Sequence, residues 1–142
     1  YEATRLGGTN GSTCKTLMLS LERREGPQLH SSIFLDMKKG NLVIGQILAV
    51  PISPNSYQVH LTDVMKMERG YTAQFAREAI VKGFRDIPEL HHIYALLPKH
   101  NRLAIKVAKE CGMKYEGILT KSFLYGGKME DSLIYSIIRE DI

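Results

Sequence analysis

The sequence predicts an α/β (α+β) domain, a mixed and mostly antiparallel sheet with flanking helices. Three observations carry this. Stretches of alternating apolar residues recur along the chain, at 31–37, 42–50, 56–65, 91–97 and 114–123, as strands do. Two stretches instead repeat their apolar residues at helical spacing: Tyr71, Phe75, Ala76, Ala79, Ile80, Gly83 and Phe84, and then Leu103, Ala104, Val107, Ala108 and Cys111. Most strands follow one another directly rather than through a helix, which gives an antiparallel majority.

Taken in order, the first residues carry turn signals at Gly7-Gly8 and Asn10-Gly11. Ser12 or Thr13 caps a predicted helix to about Glu25, with Leu17, Met18 and Leu21 on its buried side, ended by Gly26-Pro27. Two strands, 31–37 and 42–50, follow, joined by a hairpin turn at Lys38-Lys39-Gly40-Asn41. Pro51 to Ser56 reads as a loop before the strand to Met65. A helix then opens at Gly70 and runs to Phe84, with Arg77, Glu78 and Lys82 on its solvent side. A compact strand, His91–Leu97, leads through Pro98-Lys99-His100-Asn101 into the second helix, which Gly112 stops. The chain closes on a hairpin: Lys114–Phe123, a turn at Tyr125-Gly126-Gly127-Lys128, and Ser132–Arg139.

Composition bounds the function. The 142 residues make one domain, 1–142, and 44% hydrophobic with 24% charged residues is a globular balance. A net charge of +4 is spread along the chain with no basic run longer than Arg23-Arg24 or Lys38-Lys39, so no specific nucleic-acid partner is indicated. Cys14 and Cys111 have neither CxxC spacing nor a histidine cluster beside them, which excludes a zinc motif and a disulfide framework, and no metal site is expected. No apolar run is long enough for a membrane span and no leader pattern is visible, so no membrane partner is expected. The strand–glycine–helix junction at Gly70 aims free backbone N–H groups at one point, an arrangement suited to a phosphate.

The segment from Asn101 through Gly112-Met113-Lys114-Tyr115-Glu116-Gly117 is similar to the signature of the GCN5-related N-acetyltransferases (GNAT). Ile118-Leu119, the Gly126-Gly127-Lys128 turn and Asp131–Ile137 resemble that superfamily's closing hairpin, closest in pattern to the branch that acetylates ribosomal-protein N-termini. With Gly70-Tyr71 the match covers about 31–139. The resemblance implies a sheet that splays between the strands at 57–65 and 91–97, with acetyl-CoA wedged into the gap. Its pyrophosphate then contacts the backbone of Arg69, Gly70, Tyr71, Thr72 and Ala73 and the Arg69 guanidinium, and Asn101 holds the pantetheine arm. Backbone N–H groups at Val64 and Met65 are expected to bind the thioester carbonyl oxygen. Asp63, with His60 beside it, is expected to accept the amine's proton.

The departures from the family pattern are as informative. Met67 stands where Arg or Gln is usual, Glu68 where glycine is frequent, and Thr72 where a second small residue is common. The serine and tyrosine that often follow the asparagine are Ala104 and Ala108. The acid for the departing thiolate must then come from elsewhere, with Tyr115 as the first substitute and Ser122 or Tyr125 as others.

Two functions follow. One is an acetyl-CoA-dependent N-acetyltransferase of the cytoplasm, with a primary amine as acceptor and a protein N-terminus among the options. The other is a non-catalytic scaffold or assembly protein, such as a virion-associated structural protein of a phage. Either is compatible with a homo-oligomer or a larger assembly. A transferase needs the gap open, whereas a scaffold fills it, with Met65, Met67, Tyr71 and Leu97 as the bulky candidates at a narrowed pyrophosphate end.

Overall fold

The structure, a computed structural model, describes residues 3–6, 17–25, 32–62 and 71–142. The start of the predicted first helix and the loop that carries Asp63, Val64, Met65, Met67, Glu68, Arg69 and Gly70 lie outside the described residues.

Among the described residues, eight strands form one sheet: β1 (Ala3–Leu6), β2 (Leu17–Glu25), β3 (Ile33–Lys39), β4 (Leu42–Ser53), β5 (Ser56–Thr62), β6 (His92–Pro98), β7 (Lys114–Tyr125) and β8 (Lys128–Ile138). Their spatial order is β1-β2-β3-β4-β5-β6-β8-β7. Every neighbouring pair is antiparallel except β5 and β6, which α1 (Tyr71–Asp86) connects as a parallel crossover. The second helix, α2 (Arg102–Glu110), links β6 to β7.

One expectation is corrected here. Residues 17–25 form a strand, not a helix, and pair along their length with β3, from Leu19 opposite Lys39 to Glu25 opposite Ile33. Leu17, Leu19 and Leu21 also satisfy a period of two, and for a stretch this short the two periods cannot be told apart without the neighbour. The ladder offered by β3 decides between them.

The turns follow the sequence. Gly40 adopts φ 63° at the β3–β4 turn, while Gly126 and Gly127 adopt φ 59° and 78°, the two left-handed residues of a type I′ hairpin. Helix α2 ends in a Schellman motif, in which the Met113 N–H donates to the Ala108 carbonyl at 3.0 Å and the Gly112 N–H to Lys109 at 3.1 Å. Pro88 stops α1, and the chain beyond it is fastened by the Arg139 guanidinium, which donates to the carbonyls of Ile87, Pro88 and Leu90.

Both helices pack on one face of the sheet over two apolar clusters. Ala76, Ile80 and Phe84 of α1 join Val107 and Cys111 of α2 over β6 and β8. Phe75 and Ala79 of α1 pack instead on Ile33, Leu35, Met37 and Ile47 of β3 and β4. The first helix therefore straddles the sheet above the β5–β6 junction.

Candidate functional site

Strands β5 and β6 pair at three positions only: Ser56 with His92, Tyr57 with Ile93, and Gln58 with Tyr94. Both strands continue, β5 along β4 to Thr62 and β6 along β8 to Pro98, but no further pair joins them among the described residues. Their facing backbone N–H and C=O groups are thus left to another partner. A cavity of about 500 Å³ occupies the gap, walled by Val59 and Leu61 of β5, Ala95 and Leu97 of β6, and Ala76 and Gly83 of α1. The splay implied by the resemblance is present, and its described part is open: Leu97 lines the cavity rather than closing it.

At one end stands Asn101. Its Oδ1 accepts the Ala104 N–H at 3.1 Å, which caps α2, and the residue lines the cavity. Cap and ligand group are therefore compatible, since the amide nitrogen is not used in capping. Ala104 and Ala108 also line the cavity, so this wall carries methyl groups where a hydroxyl would act as acid.

His60 lies in the cavity wall on the strand face opposite Val59 and Leu61. Burial holds its imidazole below the ordinary value of 6.5, so at neutral pH it is uncharged and able to accept a proton. Burial pushes the Cys111 thiol up, opposed by backbone hydrogen bonding and the Arg77 charge, and its Sγ–H donates to the Ala108 carbonyl at 3.2 Å; this thiol is a core group.

The remaining sequence-predicted residues divide. Tyr71, Thr72 and Ala73 form the first turn of α1, where helix N–H groups have no intrahelical acceptor. Tyr115 does not line the cavity. It stands on β7 directly opposite Tyr135, 54% exposed, with its ring edge-on to that tyrosine at 5.8 Å. Tyr125 is held away as well, stacked on His100. Of the three substitutes named for the missing acid, Ser122 alone reaches the cavity, together with Phe123 and Ser132. Nothing in the sequence marks Ser132, because its position follows from the register of β8 on β6, where it stands opposite Pro98. Among the described residues no group of three or more His, Cys, Asp or Glu could hold a metal, and no helix is long and apolar enough to cross a membrane.

No family model matches the sequence. Among curated proteins, the chain is 30% identical over 73 residues to an uncharacterized N-acetyltransferase, YnaD, of Bacillus subtilis; the match spans 51% of this chain and 42% of that protein's length. Among solved structures, it is similar to the spermidine N-acetyltransferase of Vibrio cholerae in complex with CoA and spermine, with a TM-score of 0.70 and 21% identity over 79% of this chain and 68% of that one. A GNAT-family acetyltransferase from Bacillus anthracis gives a TM-score of 0.65 and 23% identity, over 77% of this chain and 66% of the other. The identities are low and the superpositions close, and what they establish is the architecture: this chain has the GNAT acetyltransferase fold.

Proposed function

We propose that the chain is an acetyl-CoA-dependent N-acetyltransferase acting on a primary amine. The observation that carries this reading is the parting of β5 and β6 after three pairs, with an open cavity behind it. An extended amide-bearing arm is what unpaired strand edges recognise, since it completes their ladders in the way a peptide strand does. The pantetheine of acetyl-CoA has that chemistry, and the Asn101 amide stands where it can hold such an arm. The first turn of α1 offers N–H groups to the pyrophosphate. When bound, acetyl-CoA supplies the activated acetyl group. The residues of the chain do the rest: the apolar wall excludes water, and neutral His60 takes the proton that the acceptor must lose before its nitrogen can attack. Asp63 is the second candidate base from the sequence, and Val64 and Met65 the candidate oxyanion donors.

A scaffold would have no use for an open gap, and the relatives named above are acetyltransferases, so the virion reading draws no support from either. The acceptor is an amine of either of two kinds. Spermidine, named for the Vibrio relatives, and a protein N-terminus both offer a primary amine. A homo-oligomer suits the exposed apolar side chains of the edge strand, among them Ile118 and Leu124, and one spermidine acetyltransferase neighbour is dodecameric.

Calorimetric titration with acetyl-CoA, followed by thiol release on a panel of spermidine and N-terminal peptides, tests the reading. Saturable binding with turnover on one amine class is expected. No binding at about 1 mM donor, a binding free energy weaker than roughly 4 kcal/mol, overturns it.

A further inference from the structure

Strand β7 leaves its ladder in the middle of the hairpin. Leu119 pairs with Ser132 and Phe123 with Glu130, so Thr120, Lys121 and Ser122 together face the single residue Asp131. Lys121 adopts φ 47°, the one positive φ outside glycine among the described residues, and its N–H donates to Asp131 Oδ1 at 2.8 Å. A side chain seldom occupies that conformation, and a regular ladder closed by Gly126-Gly127 would not need it. Bulges of this kind re-aim side chains, and this one brings Ser122 and Phe123 to the cavity wall.

Ser122 Oγ lies 2.7 Å from Ser132 Oγ and 3.1 Å from the Leu119 carbonyl, and Ser132 is 4% exposed. The two hydroxyls carry two protons. One forms the bond between them. The other goes to the Leu119 carbonyl or, when Ser122 donates to Ser132, is left on Ser132 for an acceptor in the cavity. A negatively charged acceptor competes better for it than a carbonyl does. On the α2 side of the same cavity Ala104 and Ala108 offer no hydroxyl.

The geometry points to the Ser122–Ser132 pair as the hydrogen-bond donor that receives the departing sulfur of the acyl donor, an inference that rests on the acetyltransferase reading. In the step itself the amine lone pair forms the C–N bond, the C–S bond breaks, and its electron pair stays on sulfur. The proton lost by nitrogen goes to His60 or water. An alcohol is a weaker acid than a thiol, so the serine pair keeps its proton and stabilises the thiolate through the hydrogen bond alone. The sulfur takes a proton from solvent on release.

Binding and turnover test this separately. At alkaline pH, where a fraction of the CoA thiol is ionised, calorimetry on the wild-type chain is expected to show CoA bound about tenfold more tightly than desulfo-CoA, which lacks the sulfur. Ser122→Ala and Ser132→Ala are each expected to abolish that preference while binding desulfo-CoA as the wild type does. With acetyl-CoA, Ser122→Ala should lose about 10- to 100-fold in kcat with little change in KM, corresponding to roughly 1.4–2.7 kcal/mol, and Ser122→Thr should recover part of it. Equal affinity of the wild type for CoA and desulfo-CoA, or a preference that survives both alanine variants, overturns the inference and leaves the acetyltransferase reading standing. Failure of the wild type to bind either molecule overturns both.

Discussion

The His100 ring lies flat on Tyr125, with centroids 3.6 Å apart and planes 11° from parallel. Its Nδ1 meets Glu130 Oε1 at 2.6 Å, and the His100 backbone N–H donates to the same oxygen at 3.1 Å. The turn that precedes α2 is thereby fastened to the closing hairpin one residue before Asn101. His100→Ala is expected to lower stability by about 1 kcal/mol, within the range for an aromatic pair, and to weaken CoA binding severalfold by loosening Asn101. Thermal unfolding and titration of the same sample read the two effects.

Two glutamates should tilt stability with pH in opposite directions. Partial burial pushes Glu130 up, but the hydrogen bonds from the His100 ring and backbone, with the charges of His100 and Lys99, outweigh it and hold its carboxyl below 4.5. Its contribution is complete above that unfolded value and is lost as pH falls through the lower folded one. Glu78 is raised by burial, and its Oε2 has no hydrogen-bond partner among the described residues. Its contribution is complete below 4.5 and is lost as pH rises through the folded value above. Urea midpoints measured across the acid range should therefore fall less steeply at low pH in Glu130→Gln, where Asp141 still holds a lowered carboxyl, whereas Glu78→Gln should gain stability at neutral pH.

If His60 takes the acceptor's proton, kcat/KM should rise with pH through a value below 6.5, the direction in which burial moves this imidazole. In His60→Gln that limb should vanish and the rate fall by about 10²- to 10⁴-fold, the usual span for a general base. A pH profile unchanged in the variant would assign the proton to Asp63 or to water.

Gly112 stands at φ 99°, and a Cβ there would lie 2.7 Å from Arg77 Nη1. That guanidinium donates to the Cys111 carbonyl at 3.2 Å and ties α1 to the end of α2. Gly112→Ala is expected to cost about 1–2 kcal/mol for the left-handed backbone, with a further loss as Arg77 is displaced. Chemical denaturation of the single variant and of Gly112→Ala with Arg77→Ala separates the two contributions.

How much of this was legible in the sequence depended on whether a residue's role was local. Gly112 and the Gly126-Gly127 turn are decided within a few residues, and each lies where it was expected. The second strand was missed because its period is ambiguous until β3 is beside it. Tyr115 looked like a substitute acid by chemistry alone, yet its place opposite Tyr135 follows from the register of the hairpin, which residue types do not reveal. Ser122 reaches the cleft through a bulge that contains no glycine to announce it. The predicted pyrophosphate contacts at Arg69 and Gly70 fall outside the described residues.

Among the described residues, three pairs, Ser56–Gln58 against His92–Tyr94, form the seam between two half-sheets, and an apolar cluster lies on each side of it. The molecule is built like a book whose spine is α1, with Phe75 and Ala79 gripping one cover and Ala76, Ile80 and Phe84 the other. A donor molecule lying in the gap would act as a splint, replacing the missing stitches with its own amides. Loaded, the covers should melt as one unit. Emptied, the cover made of β1–β5 can detach first, and amide exchange would follow that opening strand by strand. The supply of acyl donor would then govern how long the chain survives a protease as well as how fast it works.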